Sequence, residues 1–342
     1  MSSNNIDFIA LPYEKCKNDL AAFRNKNRSD GRDSRYFEWR YLLRPSGKEP
    51  VIVWAIDKGG APAGSLSLIP HEYFVNGQSR FLGVLGDISV SESMRGKGIA
   101  GRMLECLHGL KQVSDLGGCM VLPNEEASRP LLKAGWVKKS CLERHVKPLD
   151  ISGRIRKKAG GFIAGISAPP LNLILRMKEA AIRVPAGYKT ACATGFDERF
   201  DEIWRRLPKE GVIAGKRDMA YLSWRFADHP IEKFSVFLLS EGAKPSGYIV
   251  YKTDEDTIKV YDLLCPASGV EADYLVSSFL KFARSLAAAS VTVRASNIAL
   301  KGFDLKKFGF IKRPDAQDLM ARCGSEGPAW NSWHITAGDK DV

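Results

Sequence analysis

A glycine-rich segment at 95–101 is the part of the chain best suited to binding a phosphate group. It reads Arg-Gly-Lys-Gly-Ile-Ala-Gly, so two basic side chains alternate with glycines. Glycine lets a backbone approach a ligand closely, and the first amides of a helix offer donors and partial positive charge to an anion. A pyrophosphate has acceptors for those amides, so we predict that this segment binds a pyrophosphate.

The elements around the segment are those that such a site needs. Residues 82–90 are apolar and β-branched without helical spacing, which predicts a strand. After the glycines, apolar residues recur at helical spacing and predict a helix over about 98–113. They are Ile99, Met103, Leu104, Leu107 and Leu110. The predicted order is strand, loop, helix.

Residues 96–101 also match the pattern G-x-G-x-x-G of dinucleotide-binding folds. In those folds the first glycine directly follows the strand, whereas here residues 91–95 intervene. No acidic residue is convincingly placed at the end of the next strand to hold a ribose, and no Gly-Lys-Ser/Thr ends the segment as in a Walker loop. The dinucleotide interpretation is therefore rejected.

The chain contains an internal repeat. Residues 32–45 and 217–230 share Arg, Asp, Tyr, Trp, Arg and Pro in one register, 185 residues apart. Near the end of each half, Asn leads through a helical stretch into Lys-x-Gly-aromatic, at 124–136 and 297–310. We therefore predict an α+β protein with two tandem domains, each a mixed, mainly antiparallel sheet flanked by helices.

The aromatic residues of the repeat are predicted to be core anchors. Tyr36 and Trp39 are three residues apart, as are Tyr221 and Trp224, so each pair shares a helical face. Both copies keep these residues, whereas only one copy has the glycine loop.

The domain boundaries follow from the repeat. We predict a first domain at 1–148, a connector at 149–188, a second domain at 189–325 and a tail at 326–342. The connector begins with a basic run and continues through Gly, Pro and a short apolar stretch. A minority interpretation of 154–175 is peripheral contact with anionic lipid.

Composition restricts the class of protein. The 342 residues are 44% hydrophobic, and no apolar run is long enough to cross a bilayer. Seven scattered cysteines and five scattered histidines predict neither a disulfide framework nor a metal site. The start of the chain lacks the features of a signal peptide, so we expect a cytoplasmic protein. The net charge of +12 suits an anionic partner such as a nucleotide cofactor, and no DNA partner is expected.

The loop and its surroundings resemble the GNAT acetyltransferase superfamily. Residues 95–100 match the central family motif, Arg/Gln-x-x-Gly-x-Gly/Ala, and Val90 matches the strand valine five residues before it. The next strand, 119–122, and the segment 124–136 match the elements that follow in the family. The resemblance covers 36–145.

This resemblance implies that an acyl-CoA, acetyl-CoA or another, is the cofactor. In the family, the pantetheine arm enters a splay between the two central strands, and main-chain amides of the loop hold the pyrophosphate. Carried over to this sequence, the cofactor-binding residues are Ile88, Ser89, Val90, Arg95, Gly96, Lys97, Gly98, Ile99, Ala100, Gly101 and Asn124.

The second copy departs from the motif. Its corresponding strand, 260–265, leads into Pro-Ala-Ser-Gly-Val-Glu at 266–271, without a basic residue or a glycine pair. We therefore predict one cofactor site, in the first half. Tandem GNAT proteins with one silent half are known, and the silent half often shapes the acceptor pocket.

The catalytic residues are harder to assign. Asp87 precedes Val90 by three residues, and acidic residues near this place act as the base in several relatives, so Asp87 is the predicted base; the alternative is pairing with Arg. The family's usual tyrosine acid is replaced by Leu131. Ser128 is a weak candidate for the acid, and water is the alternative.

The leading hypothesis is an acyl-CoA-dependent N-acyltransferase acting on a small amine, such as an amino sugar or an amino acid derivative. A second hypothesis is a Fem-type aminoacyl transferase that uses charged tRNA, which a basic surface would suit. A third is a non-catalytic CoA-binding protein, which the missing tyrosine keeps open.

Overall fold

The computed structural model describes residues 6–29, 31–152, 186–267, 269–323 and 330–340. The strands are β1 Ile6–Pro12, β2 Val51–Asp57, β3 Pro62–Val75, β4 Gln78–Val90, β5 Cys119–Val121, β6 Val137–Pro148, β7 Tyr188–Ala193, β8 Ile213–Gly215, β9 Ser235–Glu241, β10 Lys244–Asp254, β11 Thr257–Leu264, β12 Ser290–Ala295, β13 Ile311–Lys312, β14 Gln317–Arg322 and β15 Trp333–His334. The helices are α1 Tyr13–Asn27, α2 Ser34–Tyr41, α3 Ile99–His108, α4 Lys111–Ser114, α5 Glu125–Lys133, α6 Glu198–Arg206, α7 Met219–Leu222 and α8 Val270–Ser285. Most of the predicted connector, and with it the lipid-contact segment 154–175, lies outside the described residues.

The strands form one mixed sheet. Its main path runs β1-β2-β3-β4-β5-β14-β6-β12-β11-β10-β9-β7. The pairs β4–β5 and β11–β12 on this path are parallel, and the other pairs along it are antiparallel. Helices flank the sheet, so the predicted α+β class with a mainly antiparallel sheet is confirmed.

The two halves exchange strands. The first part of β6 pairs with β14 from the far end of the chain, as in the register Leu142↔Gln317. The second part of β6 pairs with β12 and with the short β13. Strand β14 in turn lies between β5 and β6 of the first half. Each half therefore completes its sheet with a strand that the other half supplies.

Each face of the first-half sheet has its own core. On one face, α3 buries Ile99, Met103 and Leu104 together with Leu131 of α5. On the other face, the buried aromatic residues of α1 and α2 pack against the sheet. The apolar residues whose spacing predicted α3 therefore form its buried face.

The repeated Arg-Asp-x-x-Tyr motif begins a helix in each half. The Asp33 side chain accepts a hydrogen bond from the Tyr36 amide at 3.1 Å, and Asp218 accepts one from the Tyr221 amide at 2.9 Å. Both aspartates are therefore N-caps, which supply an acceptor to an amide that the helix itself cannot pair.

The repeated tryptophans meet each other. The rings of Trp39 and Trp224 stack with centroids 5.0 Å apart. The Trp39 indole donates to the Trp224 carbonyl oxygen at 2.7 Å, and the Trp224 indole donates to the Trp39 carbonyl oxygen at 2.9 Å. Both side chains are buried, so they join the two halves through a reciprocal contact at the centre of the molecule.

Replacing either tryptophan by phenylalanine removes one of these hydrogen bonds and leaves a carbonyl without its indole donor. We expect each single variant, Trp39→Phe or Trp224→Phe, to lose about 1–3 kcal/mol of unfolding free energy in urea denaturation. Because the two residues are in contact, the loss of unfolding free energy in the double variant should differ measurably from the sum of the two single losses. Additive losses would contradict a shared contact.

The segment 330–340 packs into both halves. Trp330, Trp333 and Ile335 are buried in the first-half cluster that also contains Tyr73. Strand β15 pairs with β8, which pairs with β3. The predicted tail thus contributes core residues in its described part, while the division into domains stays a prediction.

Among the described residues, no helix is both long and apolar enough to span a membrane.

Candidate functional site

The central strands β4 and β5 pair only near the start of β5 and are not paired beyond that point. Their parallel pairing covers only Gly83↔Cys119 and Val84↔Met120. Strand β4 continues to Val90, while β5 ends at Val121. The backbone of 88–90 therefore lies beside a gap between the strands, and these residues line a cavity.

A β-bulge lies where the strands separate. On the β3 side of β4, Ser67 pairs with Gly86 and Ser65 pairs with Ser89, so two β4 residues oppose one. The first of them, Asp87, has a left-handed backbone with φ 49°. Such a bulge bends its strand and redirects side chains, and a non-glycine residue there needs support from its surroundings.

The glycine loop leads directly into helix α3. Gly96 and Gly98 have φ values of 76° and 75°, and Gly98 is the N-cap of α3. A side chain added at either glycine would meet no atom within 4 Å, so the backbone faces open space. The first turn of α3 carries no acidic residue. Its amides, which have no intrahelical acceptor, are thus available to an anion.

The strand gap and the loop share one cavity of about 1030 Å³. Among its lining residues are ten of the eleven predicted cofactor-binding residues. These are Ile88, Ser89, Val90, Arg95, Gly96, Gly98, Ile99, Ala100, Gly101 and Asn124. A cleft that combines a glycine cradle at a helix start with a strand gap fits the pyrophosphate and the arm of CoA.

Three predicted site residues do not line this cavity: Lys97, Ser128 and Asp87. The Lys97 ammonium lies 3.6 Å from the sulfur of Met94. The Ser128 hydroxyl donates to the Asn124 carbonyl oxygen at 2.9 Å, within the first turn of α5. The Asn124 side chain accepts from the Ala127 amide at 2.9 Å and caps the same helix.

Asp87 lies in a buried cluster of arginines. Its carboxylate is 3.0 Å from Nε of Arg40 and 3.4 Å from Nε of Arg24, and it accepts a hydrogen bond from the Tyr41 hydroxyl at 2.7 Å. Burial alone would raise the pKa of Asp87, but Arg40 and Arg24 outweigh it, and the pKa falls to about 2. A carboxylate held ionised in this way is a weak proton acceptor.

Two groups of cavity residues were missed by the sequence analysis. Asn27, Arg28 and Ser29 come from the end of α1, far away in sequence, and no local pattern links them to the loop. Arg129 and Lys133 line the cavity from α5. These two basic residues are four positions apart on the helix that Asn124 caps, so they share one helix face. That spacing could have predicted a basic face beside the loop.

Leu131, which the sequence analysis placed at the position of the family's tyrosine, lies in apolar surroundings. Leu131 is fully buried in the core under α3. Cys119 is buried in the same core, and burial raises the pKa of its thiol to about 12, so it is not a ready nucleophile.

The second half has a comparable helix start with different chemistry. Gly269 is the N-cap of α8, as Gly98 is of α3, and also has a positive φ, 77°, but its ψ of −120° differs from the ψ of 10° at Gly98. The first turn of α8, however, carries Glu271 and Asp273. Carboxylates there already complement the helix dipole and repel a phosphate.

Comparisons with known proteins found one family model that matches part of the first half. Residues 13–136 match the model of the acetyltransferase (GNAT) family. No curated protein sequence matches the chain. Among solved structures, a probable N-acyltransferase from Enterococcus faecalis V583 is similar at a TM-score of 0.66 and 12% identity, with coverage of 94% of this chain and 73% of the other.

Two further structures share the fold. A GCN5-related N-acetyltransferase from Anabaena variabilis has a TM-score of 0.62 at 16% identity and covers 93% of this chain and 73% of its own. N-myristoyltransferase from Saccharomyces cerevisiae, with bound myristoyl-CoA, has a TM-score of 0.54 at 11% identity, with coverage of 93% and 83%. Residues 13–136 are therefore similar to a GNAT acetyltransferase family domain, and this match supports an enzyme that transfers acyl groups from CoA.

Proposed function

We propose that the protein is an acyl-CoA-dependent N-acyltransferase, and that it transfers an acetyl or longer acyl group to the amine of a small acceptor such as an amino sugar or amino acid derivative. The observation that carries the proposal is the single cavity in which the glycine loop, the start of α3 and the gap beside β4 meet. Pyrophosphate and pantetheine need these features together, and a structural glycine turn would not require the gap.

The residues have distinct parts in binding. Amides from the loop and the first turn of α3 hold the pyrophosphate, and Arg95 adds a full positive charge. Backbone groups of Ile88, Ser89 and Val90 pair with the amides of the arm and fix its position in the gap. When bound, acyl-CoA supplies a thioester that an amine can attack directly. Holding both reactants in place accounts for much of the rate.

Proton transfer is assigned to water in this proposal. Asp87 is enclosed by Arg24, Arg40 and Tyr41, and Ser128 is bonded within α5. We therefore propose that Asp87 positions the bulge of β4, and so the strand backbone that holds the arm, rather than acting as the base. The non-catalytic alternative is tested by thiol release with a panel of amines.

We also propose that the chain is a tandem of two GNAT-like domains with one cofactor site. The reciprocal Trp39–Trp224 contact, the strand exchange and the matched helix caps support a duplicated origin. The acidic first turn of α8 supports the loss of the second site.

Gly98→Trp should lower the affinity for CoA by at least about 100-fold in calorimetry, because the added side chain fills the cradle and forces a left-handed backbone on a non-glycine residue. Gly269→Trp is the matched control, since it places the same side chain at the positive-φ N-cap glycine of the second half. It should leave CoA affinity within about twofold of the wild type.

Equal losses in both variants would mean that the effect is strain rather than occlusion, and unchanged binding in Gly98→Trp would remove the site assignment. The same titrations with acetyl-CoA and longer acyl-CoAs would show the preferred donor. Wild-type binding without thiol release for any amine would favour the non-catalytic alternative.

A further inference from the structure

A second cavity lies at the junction of the two halves. Its volume is about 900 Å³, and it is lined by strands of both halves, including β6, β11 and β12. Leu142 of β6 lines it and also belongs to the core cluster under α1 and α2. This junction groove therefore borders the core under α1 and α2, whereas the CoA cavity is lined by α3 and α5.

One side chain connects the junction groove with the CoA cavity. Gln317 of β14 lines the groove, and its amide donates to the carbonyl oxygens of Leu122 and Pro123 at 3.0 and 3.3 Å. The next residue, Asn124, lines the CoA cavity. The groove thus borders the residues that directly follow β5 and precede Asn124 of the CoA cavity.

The junction groove is lined by charges of both signs: the cations Arg144, Lys259, Arg294, Arg313 and Lys340, and the carboxylates Asp254, Glu255 and Asp256. Asp315 binds Arg144 and Arg294, each at 2.8 Å, and Lys259 pairs with Asp254. In contrast, Arg313 and Lys340 line the groove with no side-chain hydrogen bond or ion pair to any of the described residues. Their partner can be an anionic group of a ligand.

We propose that the acceptor binds in the junction groove and carries a carboxylate or phosphate, remote from its reactive amine, that Arg313 and Lys340 bind. This proposal rests on the proposed acyl transfer and narrows its substrate class to amines with an acidic group. The second half and the segment 330–340, which supply Arg313 and Lys340, then select the acceptor while the first half holds the donor.

The test uses matched pairs of amines with acetyl-CoA, or with the acyl-CoA that binds best. Glucosamine 6-phosphate against glucosamine tests phosphate, and β-alanine against β-alaninamide tests carboxylate. The measurements are thiol release, and calorimetric binding of each amine to the protein saturated with CoA. The variant is R313Q/K340Q, and R205Q, which removes an exposed charge from α6, is the control.

We expect the wild type to favour the acidic member of at least one pair by roughly 30-fold in kcat/KM, through KM, and R313Q/K340Q to remove that preference. The neutral members and CoA affinity should be unchanged, and R205Q should behave as the wild type. Equal use of acidic and neutral amines, or equal losses for both in R313Q/K340Q, would overturn the acceptor assignment alone. If CoA does not bind, or if none of the amines causes thiol release, the proposed function is overturned and this inference with it.

Discussion

Asp87→Ala is expected to lower the free energy of unfolding by about 3–5 kcal/mol at neutral pH, because it leaves two buried arginines without their carboxylate. Arg24 and Arg40 have side-chain exposures of only 4% and 1%. The bulge of β4 also loses its support, so CoA affinity should fall with stability. Urea denaturation and calorimetry with CoA would measure the two effects.

The same cluster predicts an acid limit of stability. The folded pKa of Asp87 is about 2, below its ordinary value of 3.8, so the unfolded state binds a proton first as pH falls. The contribution of this carboxylate is present above about pH 4 and is lost as pH falls through about 2; two pKa units correspond to about 2–3 kcal/mol. Asp87→Ala should therefore flatten the dependence of stability on pH in that window.

Kinetics of Asp87→Asn separate the two roles of this residue. A catalytic base replaced by an amide should lower kcat by roughly 10²–10⁴-fold with stability and CoA affinity nearly intact. If Asp87 is instead a positioning residue, the Asp87→Asn variant should lose both folding stability and CoA affinity. Asp262→Asn is the control. Asp262 holds the matching position on β11, where its carboxylate accepts hydrogen bonds from Arg217 and Tyr248. No glycine loop follows that strand. A large fall in kcat without loss of stability would restore the base assignment.

The conformation of the glycine loop and the start of α3 were predictable from the sequence because their signals are local. The glycines at 96 and 98 adopt positive φ, and the helix begins where the apolar spacing begins. The partners of Asp87 were not predictable in the same way. Arg24 comes from α1, 63 residues earlier, and only the folded sheet brings it beside the bulge.

The strand exchange was also invisible in the sequence. A repeat predicts two similar units, but it does not say which unit supplies the last strand of each sheet. The register of β6 with both β14 and β12 depends on contacts across more than a hundred residues. The segment 330–340 shows the same limit, because it packs through long-range contacts after being assigned to a tail by position alone.

Arg217→Met is expected to cost about 3–5 kcal/mol of unfolding free energy at neutral pH, since it leaves two buried carboxylates without a cation. Arg217 Nε lies 3.2 Å from Asp262, and its guanidinium donates to Asp339 at 2.5 Å. Burial opposes the charge on Arg217, yet both carboxylates outweigh it and hold its pKa well above the usual value. Arg199→Met, which breaks an exposed pair with Asp197, should cost less than about 1 kcal/mol.

The pH dependence of this loss tests its cause. Burial already raises the pKa of Asp339 in the intact protein, and without Arg217 the pKa of this carboxyl should rise further. A carboxyl with a raised folded pKa takes up a proton more readily when folded, so the variant should recover stability as pH falls. The difference from the wild type should therefore be smaller at pH 5 than at pH 7. A difference that stays constant over this range would show that lost packing, and not unpaired charge, is responsible.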